Sequence, residues 1–276
     1  MITVAEALAA ARASLPPNEA RLLLGHVLRR ATGWLLAHDD EILDGTTLQA
    51  FAALTARRAG GEPVAYLVGK REFFGREFAV APAVLIPRAE TELLVEIVLA
   101  KVSRAVAEQR SLAILDLGTG SGCIAVTLAL EIPRARLCAV DLNAAALALA
   151  RDNAERHGAT LRLAQCDWFA GLAGERFDLI VANPPYVAAA DPHLAASDLR
   201  HEPRSALASG ADGLDALRHI VAAAPAHLAP GGQLWVEHGY DQAEVVRGLL
   251  AATGFVDIEQ HRDLAGILRV SGGRAA

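Results

Sequence analysis

The chain has 276 residues, a formal net charge of −6 at pH 7 and a hydrophobic fraction of 53%. This length can form one large domain or two smaller ones with a sizeable core. The negative net charge does not attract nucleic acid, and no lysine and arginine run marks a basic patch, so we expect no direct nucleic-acid partner. No stretch approaches the ~20 apolar residues of a membrane span, so we expect no membrane partner.

The first residues and the cysteines indicate a cytoplasmic protein, which we expect to be a monomer. The stretch from Met1 to Glu6 lacks the basic and apolar regions of a secretory signal peptide. Cys123, Cys138 and Cys166 are odd in number and include no CxxC pair, which fits a reducing compartment better than a disulfide framework or a zinc site. We predict no metal site, because four histidines that could contribute are scattered along the chain: His157, His201, His219 and His238.

The N-terminal part of the chain predicts a small helical domain. Apolar residues at helical spacing predict helices over 4–11 and 20–30, and a third helix that ends at Arg58 and is capped by Thr46-Thr47. Acidic and basic residues are balanced over this region, which favours a partner-docking or structural module over a nucleic-acid arm. We place this domain at residues 1–72 and assign it to substrate docking.

Aromatic and β-branched residues punctuated by glycine and proline come next. This stretch, from Val64 to Pro87, predicts a β-hairpin that joins two domains, and we place the linker at residues 73–87. A helix over 89–101 then begins the second domain, residues 88–276.

From Leu112 onward, strands and helices alternate, which predicts an α/β fold with a doubly wound, Rossmann-like, seven-stranded sheet. The last two strands form an antiparallel pair. The predicted strands are 113–117, 136–140, 161–164, 177–182, 233–237, 255–260 and 267–270. The predicted helices between them are 124–130, 144–156, 214–228 and 242–252.

A glycine-rich loop follows the first of these strands. It consists of Gly118, Thr119, Gly120, Ser121 and Gly122. Alternate glycines let backbone amides approach a ligand at a helix N-terminus, and Asp141 ends the next strand at about the ~20-residue spacing of a ribose-binding acid. A dinucleotide and S-adenosylmethionine (SAM) both fit this pattern. The compact GxGxG form and the preceding Asp116 favour SAM, whereas a plain glycine turn with a helix cap is the structural alternative.

Asp167 and Trp168 follow the third strand, where adenine would lie in such a fold. Asp167 could accept a hydrogen bond from the adenine amino group while Trp168 packs on the cofactor. The alternative is a helix cap beside a core tryptophan. We favour the binding interpretation because both residues follow a strand of the nucleotide-binding half.

The apolar run 179–182 stops abruptly at Asn183-Pro184-Pro185-Tyr186. Proline has no amide hydrogen to give a sheet and restricts the residue before it, so Asn183 is held extended at a strand's carboxyl end, where open α/β sheets bind ligands. Its side-chain oxygen and the neighbouring carbonyls are acceptors, and Tyr186 adds an aromatic face. These groups suit a flat ligand with an NH2 group, such as an amide or a nucleobase. A simple strand-to-loop turn is the alternative.

The sequence DLGTGSG at 116–122, the acid at 141 and NPPY at 183–186 together resemble a class I amino-group methyltransferase. Adenine-N6 DNA methyltransferases share the NPPY pattern, so it does not define the substrate. Further segments resemble the HemK/PrmC family over nearly the whole chain: 61–66, 73–75, 85–88, 202–207 and 262–266. Ala89, where proline is often found, and Ile267-Leu268, in a usually more polar segment, depart from the family pattern.

The resemblance implies methyl transfer from SAM to the side-chain amide N5 of the glutamine in the GGQ motif of class I peptide chain release factors, which affects translation termination. Our hypothesis is that Asn183 Oδ1 and the Pro184 carbonyl accept the two amide hydrogens, and that Tyr186 packs against the amide plane. With Pro185 these residues form the expected substrate site, and Asn183 also contacts the cofactor. The alternatives are a ribosomal-protein glutamine, an adenine of nucleic acid, or SAM binding without catalysis.

Overall fold

The computed structural model describes residues 1–108 and 110–276. Within these residues the chain divides into two units. The first unit comprises Met1–Lys70 together with Ala196–His201, and the second comprises Arg71–Ala195 and Glu202–Ala276. None of the helices in the described part of the chain is both long enough and apolar enough to span a membrane.

The first unit consists of short helices and a two-stranded antiparallel sheet. Its elements are β1 (Ile2–Thr3), α1 (Val4–Ala11), α2 (Pro17–Leu28), α3 (Thr32–Ala37), β2 (Ile42–Leu43), α4 (Gly45–Ala59) and α5 (Val64–Val68). The prediction of a threonine cap for α4 was wrong. Asp44 is the cap, and its carboxylate accepts from the Thr47 backbone amide at 2.7 Å, because both threonines already lie in the first helical turn.

The segment Ala196–His201 belongs to the first unit although it is distant in sequence. Arg58 on α4 holds it, since the guanidinium donates both to the Asp198 carboxylate at 2.6 Å and to the Glu19 carboxylate at 2.7 Å. Arg200 adds a hydrogen bond to the backbone carbonyl of Gly60. The sequence offered no local signal for this arrangement.

A hairpin lies at the start of the second unit. Its strands are β3 (Lys70–Phe73) and β4 (Arg76–Ala79), which pair in a two-stranded sheet. Phe74 and Gly75 between them both have positive φ, at 52° and 69°, as a two-residue hairpin turn requires. The hairpin therefore spans residues 70–79, whereas the sequence placed it at 73–87.

A seven-stranded sheet forms the centre of the second unit. The strands are β5 (Ala113–Leu117), β6 (Arg136–Asp141), β7 (Leu161–Gln165), β8 (Phe177–Ala182), β9 (Leu228–Glu237), β10 (Phe255–Arg262) and β11 (Leu268–Ala275). Their order in the sheet is β10-β11-β9-β8-β5-β6-β7, with β5 to β9 parallel and the pairs made by β11 antiparallel. The predicted α/β fold with a Rossmann-like, seven-stranded sheet is confirmed.

Helices cover both faces of this sheet, because its side chains alternate between two apolar cores. The helices are α6 (Glu92–Ala107), α7 (Cys123–Glu131), α8 (Ala144–His157), α9 (Asp215–His227) and α10 (Ala243–Ala252). On β5, Leu115 joins the core with Leu217 of α9, whereas its neighbour Ile114 joins the core with Val98 of α6 and Val126 of α7. Strands β5 to β9 run parallel, so their carboxyl ends lie along one edge of the sheet.

Several strand boundaries differ from the prediction, and the largest differences are in β9 and β11. Strand β9 begins at Leu228, before the predicted start at Gln233, and its pairing with β8 shifts register between these two residues. Strand β11 continues to Ala275, past the predicted end at Val270. Glycine weakens a strand signal, but Gly272 is required here, since a Cβ at this position would lie 2.3 Å from the Trp235 side chain.

Candidate active site

The carboxyl ends of β5, β6 and β8 border a cleft of about 330 Å³, a volume at the lower end of the range for small-molecule sites. Nine of the residues predicted from sequence line it: Gly118, Thr119, Gly120, Ser121, Asp141, Asp167, Trp168, Asn183 and Pro185. Strand β5 lies between β6 and β8, so the cleft is at the point where strand order reverses, the usual ligand site of an open α/β sheet. The structure thus brings the separate motifs together.

Three other predicted residues lie outside this lining. Gly122 instead packs α7 against α8, because a Cβ at its φ of 81° would lie 3.0 Å from the Cβ of Ala150. Pro184 is buried. Tyr186 is half-buried and its ring packs against the core of the second unit.

The glycine loop turns tightly over the end of β6. The backbone amides of Gly118 and Thr119 both donate to the Val140 carbonyl at 2.9 Å. Gly120 has a φ of 55°, and a Cβ there would meet nothing within 4 Å, so the loop presents open space beside its backbone. This is a surface that a ligand can approach closely.

Asp141 at the end of β6 is already bound to backbone amides. Its Oδ2 accepts from Gly120 at 2.9 Å, and its Oδ1 accepts from Asn143 at 2.8 Å. Each carboxylate oxygen has two lone pairs, so both retain capacity for ribose hydroxyls. Asn143, which the sequence argument missed, also lines the cleft and caps α8.

Asp116 lies beneath the loop and is fully buried. The Thr119 hydroxyl donates to its Oδ2 at 2.6 Å, while its Oδ1 has no partner among the described residues. Burial raises the pKa of Asp116 to about 7, and the Thr119 hydrogen bond opposes this rise. A positively charged group in the cleft would favour the ionised carboxylate.

Trp168 forms a wall beside the glycine loop. Its φ is 47°, and a Cβ at Gly118 would lie 3.4 Å from its ring. The Cys166 thiol donates to the Trp168 carbonyl at 3.2 Å, and Asp167 between them also lines the cleft. The third-strand motif therefore supplies an aromatic face and a carboxylate to the same cleft as the loop.

Asn183 lies where β8 ends. Its Nδ2 donates to the Thr91 hydroxyl oxygen at 3.0 Å. Its Oδ1 is buried and has no partner within residues 1–108 and 110–276. A buried acceptor without a partner is uncommon in a folded protein, so this oxygen is a candidate ligand contact.

Tyr186 and Glu237 form a second polar pair behind the motif. The Tyr186 hydroxyl donates to Oε1 of Glu237 at 3.1 Å, and the Tyr186 carbonyl accepts from Gln242 at 2.9 Å. Burial raises the pKa of Glu237 to about 7, while hydrogen bonds from the Thr91 and Tyr186 side chains oppose the rise. Burial, followed by the Glu237 charge, also raises the pKa of Tyr186. Sequence reasoning missed Thr91 and Glu237 as parts of the site.

Glu202 fastens one wall of the cleft. Its buried carboxylate accepts from the Ile86 backbone amide at 3.0 Å and forms an ion pair with Arg88. Arg88, Ser205 and Ala206 line the cleft. The two segments around these residues, 85–88 and 202–207, carried part of the family resemblance in the sequence.

Known proteins resemble the chain along almost all of its length. The family model described as "PrmC N-terminal domain" matches residues 2–69, and the model "Methyltransferase small domain" matches residues 91–212. A Bordetella pertussis protein described as a release factor glutamine methyltransferase is 53% identical over 260 residues, 94% of this chain and 95% of the relative. One from Burkholderia pseudomallei is 52% identical over 279 residues, with coverages of 99% and 96%.

This chain belongs to the release factor glutamine methyltransferase family. A solved T. Thermophilus 16S rRNA methyltransferase, in complex with AdoMet and guanosine, has a TM-score of 0.54 and 21% identity, and the match covers 75% of this chain and 50% of that one. That likeness shows the class I methyltransferase fold. The predictions of family, fold and enzyme class are confirmed.

SAM is the methyl donor of this methyltransferase. The residues of the cleft fit such a ligand. The open backbone at Gly120, the Asp141 carboxylate and the Trp168 ring suit an aminoacyl chain, a ribose and an adenine. Asp116 is buried below the loop, and the ionised form of its carboxylate would favour a cationic sulfonium in the cleft.

Proposed function

We propose that this family member methylates the side-chain amide N5 of the glutamine in the GGQ motif of class I peptide chain release factors, and so affects translation termination. The observation that carries the proposal is the buried, unpartnered Oδ1 of Asn183 at the end of β8. A primary amide has two N–H donors and needs acceptors such as this one. The names of the relatives supply the substrate class.

The proposed cofactor site combines the loop with the ends of three strands. Its residues are Gly118, Thr119, Gly120, Ser121, Asp141, Asp167, Trp168 and Asn183, and Gly122 supports the loop by packing α7 against α8. The loop backbone lies close against the charged end of SAM, the Asp141 carboxylate accepts from the ribose hydroxyls, and Asp167 accepts from the adenine amino group while Trp168 packs against the ring system. When bound there, SAM supplies an electrophilic methyl group.

The proposed substrate site lies at Asn183-Pro184-Pro185-Tyr186. An amide nitrogen is a weak nucleophile because its lone pair is delocalised into the carbonyl. Asn183 Oδ1 and the Pro184 carbonyl accept its two hydrogens, which orients the nitrogen and favours the positive charge that develops on it. Pro185 lines the cleft. We assign Tyr186 to packing against the plane of the substrate amide, and the hydrogen bond from its hydroxyl to Glu237 holds the ring in place.

The motif contains no histidine or lysine that could act as a strong base. None is needed before transfer, because the amide proton becomes acidic only once the nitrogen carries the methyl group, and water can then accept it. Precise placement at ~3–3.5 Å is therefore the main contribution of these residues.

The remaining assignments concern partners and location. We assign residues 1–72 to docking of the release factor, because a charge-balanced helical module precedes the catalytic part and matches the family's N-terminal domain model. The protein acts as a monomer in the cytoplasm, where its substrate is used, without direct contact to nucleic acid.

The test is methyl transfer from labelled SAM to three separate acceptors: a class I release factor, total ribosomal protein and DNA. We expect label only in the release factor, mapped by mass spectrometry to the GGQ glutamine. A release factor with that glutamine changed to asparagine is the matched control and should stay unlabelled. Label in ribosomal protein or adenine, with none in the release factor, would contradict the proposal.

A further inference from the structure

Thr91 belongs to none of the motifs with an assigned role, yet it contacts the reactive one. It ends the short helical turn Ala89–Thr91, just before α6, and only 2% of its surface is exposed. Its Oγ1 accepts from Asn183 Nδ2 at 3.0 Å. We propose that Thr91 is a positioning residue that fixes the Asn183 amide with Oδ1 directed to the substrate, an inference that rests on the proposed function.

The orientation of a side-chain amide is decided by its hydrogen bonds, because the NH2 group and the oxygen are nearly equal in size. A hydroxyl has one hydrogen to donate. If it donates that hydrogen to another group, it can offer Asn183 only its oxygen, as an acceptor. The Thr91 side chain is one of the groups that oppose the rise in the pKa of the buried Glu237, so we take its hydroxyl hydrogen to be directed to that carboxyl group. The Thr91 oxygen is then left as an acceptor, and only the NH2 side of Asn183 can face it.

The orientation of the Asn183 amide decides whether the substrate meets a hydrogen-bond acceptor or donors. With Oδ1 free, Asn183 presents an acceptor to the N–H groups of the glutamine amide. With the amide reversed, it would present N–H groups to N–H groups, and the substrate nitrogen would lose the contact that orients it. Thr91 also lines the cleft, but in this role it acts through Asn183.

Hydrogen bonds of Thr91 and of the residues on either side of it fix the backbone that carries the Thr91 hydroxyl. Its backbone amide donates to the Arg88 carbonyl at 3.2 Å, and Arg88 is paired with the buried Glu202. The next residue, Glu92, accepts from the Phe74 backbone amide at 2.8 Å. A side chain on so constrained a backbone can impose a direction on its partner.

The experiment compares Thr91→Val, which keeps the shape and removes the hydroxyl, with Thr91→Ser, which keeps the hydroxyl. Thr127→Val is the matched control, because Thr127 is equally buried and its hydroxyl has no partner among the described residues. Steady-state kinetics with the release factor, SAM titration calorimetry and hydrogen exchange of the Asn183 NH2 group by NMR are measured. The NMR signal is assigned from its loss in Asn183→Asp.

For Thr91→Val we expect kcat to fall by about 10- to 100-fold, because misdirected positioning groups cost rates of this order, with SAM affinity little changed. The Asn183 NH2 hydrogens should exchange faster, since they lose their buried acceptor. Thr91→Ser should restore both readouts, and Thr127→Val should leave both as in the wild type. If Thr91→Val does not fold, Thr91→Ala provides the same comparison.

A wild-type kcat and unchanged NH2 exchange in Thr91→Val would overturn the inference. Equal losses in Thr91→Ser or in Thr127→Val would also overturn it, because they would indicate packing rather than orientation. The proposed function fails separately, if the wild type transfers no methyl group to the release factor while Thr91→Val still alters the Asn183 exchange.

Discussion

The backbone amide of Gly120 donates to Oδ2 of Asp141 across 2.9 Å, so the acid proposed to bind ribose also shapes the loop beside it. Its other oxygen accepts from the Asn143 amide at 2.8 Å. Both oxygens face N–H donors of the backbone. A side chain at this position consequently needs two acceptors as well as the correct size.

This requirement predicts that Asp141→Asn behaves almost as badly as Asp141→Ala. The asparagine NH2 group would face a backbone N–H and disturb either the loop or the start of α8. We expect SAM affinity to fall by about 10-fold or more in both variants, since a lost charge-assisted hydrogen bond costs ~1.5–3 kcal/mol. Titration calorimetry measures the SAM affinity of both variants. Wild-type affinity in Asp141→Asn would show that the backbone contacts are unimportant.

Asn183→Ala should reduce turnover far more than SAM binding. The substitution removes the acceptor that orients the substrate nitrogen, and loss of one such group costs about 10²- to 10³-fold in kcat. Single-turnover rates with a purified release factor, together with SAM calorimetry, separate the two effects. Thr127→Val, at a buried hydroxyl with no partner among the described residues, is the control variant. Near-normal turnover by Asn183→Ala would refute the mechanism.

Two glycines of the loop should respond differently to alanine. Gly122→Ala places a Cβ 3.0 Å from the Ala150 Cβ at a φ of 81°, so we expect a lower free energy of unfolding, by ~1–3 kcal/mol. Gly120 also has a positive φ, 55°, but its Cβ would meet nothing within 4 Å, so Gly120→Ala should lower the free energy of unfolding less than Gly122→Ala. It should weaken SAM binding more, because the added methyl group lies in the space that the ligand approaches. Urea unfolding and calorimetry on both variants measure the difference. The same pattern in both would contradict this division of roles.

Glu237 should make stability depend on pH. Its pKa is raised from 4.5 to about 7 in the folded protein, so between these values the folded state binds more protons than the unfolded one. The free energy of unfolding therefore falls as pH rises through this window, by at most about 1.4 kcal/mol per pH unit for one group.

Glu237→Gln removes this contribution, so its unfolding free energy should change less between the two pKa values than that of the wild type. The glutamine oxygen can still accept from the Tyr186 hydroxyl, which preserves the local contact. Asp116, whose pKa is also raised to about 7, leaves a residual slope in the variant. Urea titrations at several pH values compare the two proteins, and identical slopes would mean that Glu237 does not titrate in this range.

The parts of the site that lie on one continuous stretch of chain could be predicted from sequence. Strand β8 and the stop at Pro184 follow from an apolar run and the chemistry of proline. The glycine loop and Asp141 follow from a local pattern with a regular spacing. Their meeting in one cleft then required only that parallel strands end at a common edge.

The interactions between distant segments could not be predicted in this way. Glu202 binds Ile86 and Arg88, and Thr91 binds Asn183, over separations at which sequence carries no periodic signal. The helix cap at Asp44 was missed for a different reason, because two adjacent threonines have nearly the same preference for that position. Buried polar pairing depends on the folded geometry and becomes visible only with it.

The position of Asp198, on a six-residue segment that belongs to the helical unit, has a consequence for how such proteins can be recombined. A hybrid gene with a single crossover near residue 70 would take Arg58 from one parent and Asp198 from the other. The ion pair between Arg58 and Asp198 and the hydrogen bond from Arg200 to Gly60 would then each have to form between residues of different parents. Exchange of the N-terminal unit between relatives thus requires three junctions rather than one.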